Sequence, residues 1–213
     1  MLHIGLFGGT FNPVHVGHVE LAKSVYKGLE LDQFIFIPSK IPPHKNLGST
    51  TPAERFKMVS IAIKSMDGNF AVSDYELKSK GISYTFKTLK HFRENYKNEI
   101  LSFITGSDIF ATIGSWNEWV KLFDLSNFIV VNRNEMPFKK MLDIIPPELK
   151  KYIIQPCEFN NEKNGKIILY NMEEIIISST DIRDKIEQNK IKYYLTSEVY
   201  NYISDNNLYQ GVK

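Results

Sequence analysis

The sequence predicts an α/β fold: a single doubly wound, mostly parallel sheet with helices on both faces. Three observations point there. Charge-free apolar runs recur at residues 4–7, 33–38, 100–104 and 128–131, as expected of strands buried on both faces. The first two runs are separated by one amphipathic stretch, a strand–helix–strand unit that makes them parallel. Glycine-bearing turns, Gly8-Gly9-Thr10 and Gly106-Ser107-Asp108, follow two of the runs, where open α/β sheets bind ligands. The 213 residues suffice for one domain, 1–213, with a substantial core, and no repeat, linker or low-complexity segment interrupts them.

Taken in order, residues 4–7 are the first strand and residues 16–29 the first helix. The second strand, 33–38, is ended by Pro38, which cannot donate to a ladder. Residues 39–50 form a loop stiffened by Pro42-Pro43 and carrying His44 and Lys45. Thr51-Pro52-Ala53-Glu54 is a capping box with proline at the first helical position. Its helix runs to residue 65 with Phe56, Val59, Ile63 and Met66 inward. A short strand at 70–73 precedes Ser83-Tyr84-Thr85, which opens a helix over 86–96. The strand 100–104 leads to Gly106 and Asp108. Residues 113–123 hold Trp116 and Trp119, and the strand 128–131 leads to Asn132-Arg133. Residues 134–150 read as a surface excursion with a short helix. Residues 152–154 and 167–170 read as peripheral strands around a polar turn at 160–165. Ile175-Ile176-Ile177 enters Ser178-Ser179-Thr180, good N-caps for a helix beginning near Thr180. A last helix covers 197–206.

Composition excludes several classes. Hydrophobic residues are 43% and charged residues 23%, a globular profile. A net charge of +2 gives no general field for nucleic acid or acidic membrane, so any preference for anions must be local. One cysteine excludes an internal disulfide framework and fits a reducing, cytoplasmic location. The chain enters a strand almost at once, without a signal peptide, and no apolar run approaches the roughly 18 residues that span a bilayer.

The stretch Gly8-Gly9-Thr10-Phe11-Asn12-Pro13-Val14-His15-Val16-Gly17-His18 carries the chemistry. Its glycines let the backbone turn sharply and approach a ligand. The helix that follows offers free N–H groups and partial positive charge, an anion site for which phosphate is the usual occupant. His15 and His18 share a helical face, and Gly17 leaves room for a flat ring against the backbone. Alone, the histidines could instead be surface residues or part of a zinc site, which needs three or four ligands; His44 is a candidate third, and Cys157 lacks a partner. Ser179, Thr180 and Arg183 read either as a simple cap with a surface cation or as a second phosphate cradle.

The segments GGTFNPVHVGH, PPHK, SYTFKTL, ITGSD, the following Trp116, Asn132-Arg133 and ISSTDIR occur in the order seen in bacterial nicotinate-nucleotide adenylyltransferases, of the T/HxGH nucleotidyltransferase superfamily. The chain resembles that family over nearly its whole length. The resemblance implies a Rossmann-like nucleotidyltransferase fold and transfer of AMP from ATP to nicotinate mononucleotide, giving deamido-NAD and pyrophosphate. It implies His18 and His15 as catalytic. It implies Gly8, Gly9, Thr10, Phe11, His15, His18, Lys45, Gly106, Asp108, Ser179, Thr180 and Arg183 toward ATP and its phosphates. It implies Tyr84, Thr85, Trp116 and Arg133 toward the acceptor, with Mg2+ carried on the ATP phosphates. Family members commonly have aspartate where this chain has Asn12, which argues against a metal ligand there. The expected partners are ATP and nicotinate mononucleotide, without nucleic acid or membrane, and a homo-oligomer is compatible. An amide or phosphopantetheine acceptor, cytidylyl transfer, and a non-catalytic nucleotide-binding regulator are the rival expectations.

Overall fold

The computed structural model describes residues 1–42, 50–133, 135–173, 177–186 and 191–209. The sequence readings at His44, Lys45, Ile175 and Ile176 lie outside the described residues.

Seven strands, β1 (His3–Gly9), β2 (Gln33–Pro38), β3 (Phe70–Val72), β4 (Ile100–Gly106), β5 (Asn127–Val131), β6 (Ile153–Ile154) and β7 (Ile167–Tyr170), form one sheet in the order β3-β2-β1-β4-β5-β7-β6. Every pairing is parallel. The two short apolar runs expected at the periphery thus extend the sheet beyond β5. The order reverses between β1 and β4, so loops leaving these neighbours diverge and open a crevice at their C-terminal ends.

Nine helices among the described residues connect the strands: α1 (Val16–Gly28), α2 (Pro52–Ala62), α3 (Tyr75–Lys78), α4 (Thr85–Asn95), α5 (Ser107–Phe110), α6 (Trp119–Leu125), α7 (Phe138–Ile144), α8 (Ser179–Lys185) and α9 (Ser197–Asp205). Strand alternation divides the core into two layers. Phe34, Phe36, Ile129 and Ile168 face Val19, Ala22 and Val25 of α1, Met58 and Val59 of α2, Ile182 of α8 and Val199 of α9. Ile35, Ile37, Leu101, Phe103, Phe128 and Val130 face Leu89 of α4, Phe110 of α5, Leu122 of α6 and Met141 of α7.

The capping box forms as read: Thr51 Oγ1 accepts the Glu54 N–H at 3.2 Å and the Glu54 carboxylate accepts the Thr51 N–H at 2.7 Å. The inner face of α2 differs from the sequence reading. Arg55, Met58, Val59 and Ala62 are its buried residues, while Phe56 and Ile63 are half-buried. Hydrophobicity favours Phe56 inside, but the Arg55 guanidinium finds buried carbonyl acceptors, and that rotates the helix. Residues 113–123 are also divided. A 3₁₀ turn at Ile113–Ser115 ends at Trp116, and Glu118, at φ +54°, precedes α6. Arg93 closes the end of α4 by donating to the carbonyls of Tyr96 (3.0 Å), Glu99 (2.8 Å) and Leu125 (2.7 and 2.9 Å).

At the opposite end of the sheet from the crevice, His3 is buried, with Nε2 2.8 Å from Ser102 Oγ and its backbone N–H donating to Asp32 at 2.7 Å. Burial lowers its pKa to about 4, against a smaller opposing effect of Asp32. Below pH 6.5 the unfolded imidazole takes up a proton that the folded one refuses until about pH 4. Stability is therefore lost as pH falls through that window. Urea unfolding should show a His3 contribution to this loss of roughly 1–2 kcal/mol between pH 7 and pH 5. His3→Gln should flatten the pH dependence by that amount; identical slopes for the two proteins would contradict the assignment.

Candidate active site

β1 delivers Gly8 and Gly9 to the crevice, and the chain turns through residues 10–14 before His15 caps α1. Phe11 lies at φ +47°, in the left-handed region that non-glycine residues rarely adopt. Its ring is buried against Phe7, Phe36 and His18, with centroids 5.4, 5.6 and 5.1 Å apart. Among the described residues, the N–H groups of Thr10 and Phe11 find no hydrogen-bond acceptor. The carbonyls of the same turn are occupied. Arg55 Nη1 donates to Thr10 O at 2.7 Å, Arg183 Nη1 to Asn12 O at 2.7 Å and Ser179 Oγ to Pro13 O at 2.9 Å.

The two histidines lie together, ring centroids 3.7 Å apart and planes inclined by 37°. The His15 N–H donates to His18 Nδ1 at 3.3 Å, so in the neutral His18 ring the proton resides on Nε2. His15 is 4% exposed, and its Nδ1 has no hydrogen-bond partner among the described residues. Its pKa falls to about 3, mainly through burial and also through the positive charge of Arg133, against the opposing charge of Asp181. His15 is thus neutral at pH 7 in the free protein. Gly17 does leave room for a flat ring, but that ring is the imidazole of His15: a Cβ on Gly17 would lie 3.0 Å from Nδ1 and 3.1 Å from Cε1.

Gly106 ends β4, and Asp108 Oδ1 is buried beside it without a hydrogen-bond partner among the described residues. A Cβ on Gly106 would run into that oxygen and lie 3.3 Å from Arg133 Nε. Arg133 leaves β5, its N–H donating to Ser107 Oγ at 3.0 Å, and its charge reaches His15. The residue expected toward the acceptor therefore stands with Asp108 beside the histidine pair.

Tyr84 N-caps α4 with no side-chain cap, and among the described residues the N–H groups of Thr85 and Phe86 find no acceptor. Ser83 is tied to the segment that follows β2, its Oγ accepting the Lys40 N–H at 3.1 Å and its N–H donating to Ile41 O at 3.0 Å. Trp116 is half-buried, edge-on to Phe103 with centroids 6.3 Å apart, and its Nε1 donates to Thr112 Oγ1 at 2.9 Å. Phe103 in turn lies under Gly8, where an added Cβ would be 2.9 Å from its ring. One aromatic ring thus separates Trp116 from the glycine turn.

At α8, Ser178 provides the cap, accepting the Asp181 N–H at 3.1 Å. Ser179 and Arg183 reach the turn, but their donors go to its carbonyls, and Arg183 Nη2 also donates to Thr180 Oγ1 at 3.1 Å. Two contributors escape the sequence reading. Arg55 is fully buried, with Nη2 on Lys40 O at 3.3 Å as well as Nη1 on Thr10. Tyr209, near the C-terminal end, donates its hydroxyl to Asn12 Oδ1 at 2.7 Å. Arg55 stands one turn before Met58, Val59 and Ala62, a periodicity that could have revealed it; nothing local marks Tyr209. No three metal-ligating side chains come together among the described residues.

An all-parallel sheet with amide donors, two imidazoles and guanidinium groups at its switch point defines an α/β nucleotide-binding enzyme of the nucleotidyltransferase type. A family model for cytidylyltransferase-like proteins matches residues 6–185. A probable nicotinate-nucleotide adenylyltransferase of Clostridium botulinum is 38% identical over 99% of this chain and 100% of its own length. One from Clostridium novyi is 41% identical over 91% and 92%. A solved structure of Plasmodium falciparum nicotinic acid mononucleotide adenylyltransferase shares the fold, with a TM-score of 0.76, 23% identity and 98% of each chain covered. The chain belongs to the nicotinate-nucleotide adenylyltransferases, within the cytidylyltransferase-like family.

Because Gly17 seats the His15 ring, Gly17→Ala should displace that ring. Adenylyl transfer should fall at least tenfold, by roughly 1.4 kcal/mol or more of lost transition-state stabilisation. The melting temperature should stay within about 5 °C of wild type, since the change adds one methyl at a half-buried helix start. Wild-type turnover in the variant would show that the His15 ring position is unimportant.

Proposed function

We propose that the crevice holds ATP with its phosphates against residues 8–18 and nicotinate mononucleotide between Tyr84 and Trp116, and transfers AMP between them. The observation that carries this reading is a pair of buried atoms without a hydrogen-bond partner among the described residues, His15 Nδ1 at the start of α1 and Asp108 Oδ1 just past the end of β4. Buried polar atoms are nearly always bonded, so these two fit a ligand that supplies both a phosphate and a hydroxyl. The likeness to adenylyltransferases supports it, and the similar Plasmodium falciparum enzyme was solved in complex with NaAD.

In the reaction, an acceptor phosphate oxygen bonds to the α-phosphorus of ATP, and the bond from that phosphorus to the bridging oxygen of the β-phosphate breaks. Pyrophosphate leaves with the electron pair. The attacking oxygen is already ionised, so the protein needs no base; it aligns two anions and stabilises charge on the leaving group. The Thr10 and Phe11 N–H groups and His18 Nε2–H are the donors suited to that charge, with Lys45 as the added cation. Asp108 accepts a hydroxyl of the nucleotide, and the open N–H groups at the start of α4 meet the pyridine carboxylate while Trp116 stacks on the ring. Magnesium neutralises phosphate charge when bound. The turn offers N–H donors, and its carbonyls are already occupied, so the cation's oxygen ligands would come from the phosphates rather than from the turn. The free, exposed Cys157 is compatible with a cytoplasmic setting.

A panel of acceptor mononucleotides mixed with ATP and magnesium, scored for pyrophosphate, tests the activity. His18→Ala should lower kcat by roughly 10²–10³ with a much smaller effect on ATP binding; retention of half the wild-type kcat would remove His18 from the reaction. The acid acceptor should be preferred to the amide by on the order of 10² in kcat/KM, because an amide NH₂ turned toward helix N–H donors leaves one buried donor mispaired. Trp116→Ala should weaken both acceptors and keep their ratio; values within about fivefold for acid and amide in the wild type would exclude the α4 assignment.

A further inference from the structure

Thr10, Asn12 and Pro13 offer three carbonyls, and each accepts a side-chain donor from a distant part of the chain. Two of those donors, Ser179 and Arg183, belong to the α8 segment that the sequence already singles out. The third, Arg55, does not, and neither does Tyr209, which holds the Asn12 side chain rather than its backbone. Tyr209 is 5% exposed and packs in the same core layer as Phe11, Val14 and Val199. Its partner, Asn12, is 3% exposed, so the bond between them is shielded from water. Burial raises the ionisation of the Tyr209 phenol far above its ordinary range, so the hydroxyl keeps its proton at neutral pH.

The turn needs such restraint. Phe11 occupies a left-handed conformation that is costly for a non-glycine residue. A peptide unit that gives its N–H to a phosphate must find another partner for its carbonyl. The Arg55 contact to the Thr10 carbonyl therefore selects the rotation of the Thr10–Phe11 peptide plane that leaves the Phe11 N–H open, while the contacts to the Asn12 carbonyl, whose amide to Pro13 has no N–H, and to the Pro13 carbonyl anchor the chain that follows. A shift of the Asn12 side chain would be passed to the Asn12 carbonyl, and so to Arg183.

We infer that Tyr209 and Arg55 are positioning residues for adenylyl transfer, Tyr209 through the Asn12 side chain and Arg55 through the Thr10 carbonyl, which together hold residues 10–13 in the conformation that receives the ATP phosphates. This rests on the placement of ATP proposed above, and its test does not require turnover. Calorimetric binding of the analogue α,β-methylene-ATP is measured without acceptor, and nicotinate mononucleotide is titrated separately. Tyr209→Phe removes only the hydroxyl. It should raise the Kd of the analogue roughly three- to tenfold, the loss expected for one buried hydrogen bond, and leave the acceptor Kd within twofold. Asn12→Ala should weaken the analogue at least as much, and the double variant should bind it no worse than Asn12→Ala alone. Arg55→Lys, which keeps the charge and loses the second donor, should likewise weaken the analogue and spare the acceptor, and it carries the test if Tyr209→Phe does not fold.

Three results would overturn the inference: unchanged analogue binding in Tyr209→Phe with only a lowered melting temperature, equal weakening of both ligands, or multiplicative effects in the double variant. Wild-type protein that binds the analogue but releases no pyrophosphate with any mononucleotide would instead defeat the functional reading and leave standing only the positioning of residues 10–13 for ATP.

Discussion

A peptide unit has two poles, and a turn that offers its N–H groups to a ligand must satisfy its carbonyls elsewhere. Residues 10–13 meet this requirement with side chains from two places, Arg55 of α2 and Ser179 and Arg183 of α8, and Tyr209 near the C-terminal end holds the Asn12 side chain. None of these is a sequence neighbour of the turn. The rest of the structure can be understood from that constraint. Helices α2, α8 and α9 all pack on the core layer that includes Phe11 and Val14, because each brings a donor, or the segment carrying one, to the same short stretch of backbone.

The electrostatics of the site are local. With a net charge of +2, the chain has little long-range field to attract a triphosphate, and the attraction resides in groups held at the crevice. His15 is buried and neutral, its pKa near 3. An arriving phosphate would add negative charge beside it and favour its protonated form. Farther in, Arg55 is a fully buried cation with Glu76 as a charge partner, although burial raises the Glu76 pKa against that influence. Thr88 Oγ1 donates to Glu76 Oε1 at 2.6 Å, and Thr88 lies on α4, whose open end faces the proposed acceptor site. Arg55 Nε and Glu76 Oε2 are both buried without a hydrogen-bond partner among the described residues, so the backing of the turn and α4 are coupled by charge rather than by a hydrogen-bonded chain.

The sheet supplies the frame. Strands buried on both faces accept apolar residues at nearly every position, which is why β2 reads as Phe34-Ile35-Phe36-Ile37 with both faces covered. The candidate site residues collect where this packing stops, beyond the C-terminal ends of β1, β4 and β5. Gly106 has no side chain because Asp108 and Arg133 fill the volume that a Cβ would need.

By itself the sequence determined what depends on near neighbours. The apolar strands, the glycine turn into α1, the capping box at Thr51 and the serine cap of α8 are local patterns, and local sterics and hydrogen bonding are enough to specify them. The same holds for the approach of His15 and His18, which the helix start enforces. Only the tertiary structure decided the partners. It turned α2 so that Arg55, not Phe56, faces inward, since a buried guanidinium is tolerable only where carbonyls wait for it. It set Arg133 beside Asp108 and His15, filled the space over Gly17 with the ring of His15, and gave the donors of Ser179 and Arg183 to the turn. It brought Tyr209 to Asn12 across nearly the full length of the chain. Contacts between residues so far apart leave no periodic trace in either segment, because the acceptor is a backbone oxygen or a single amide whose position exists only once the sheet and its helices have assembled.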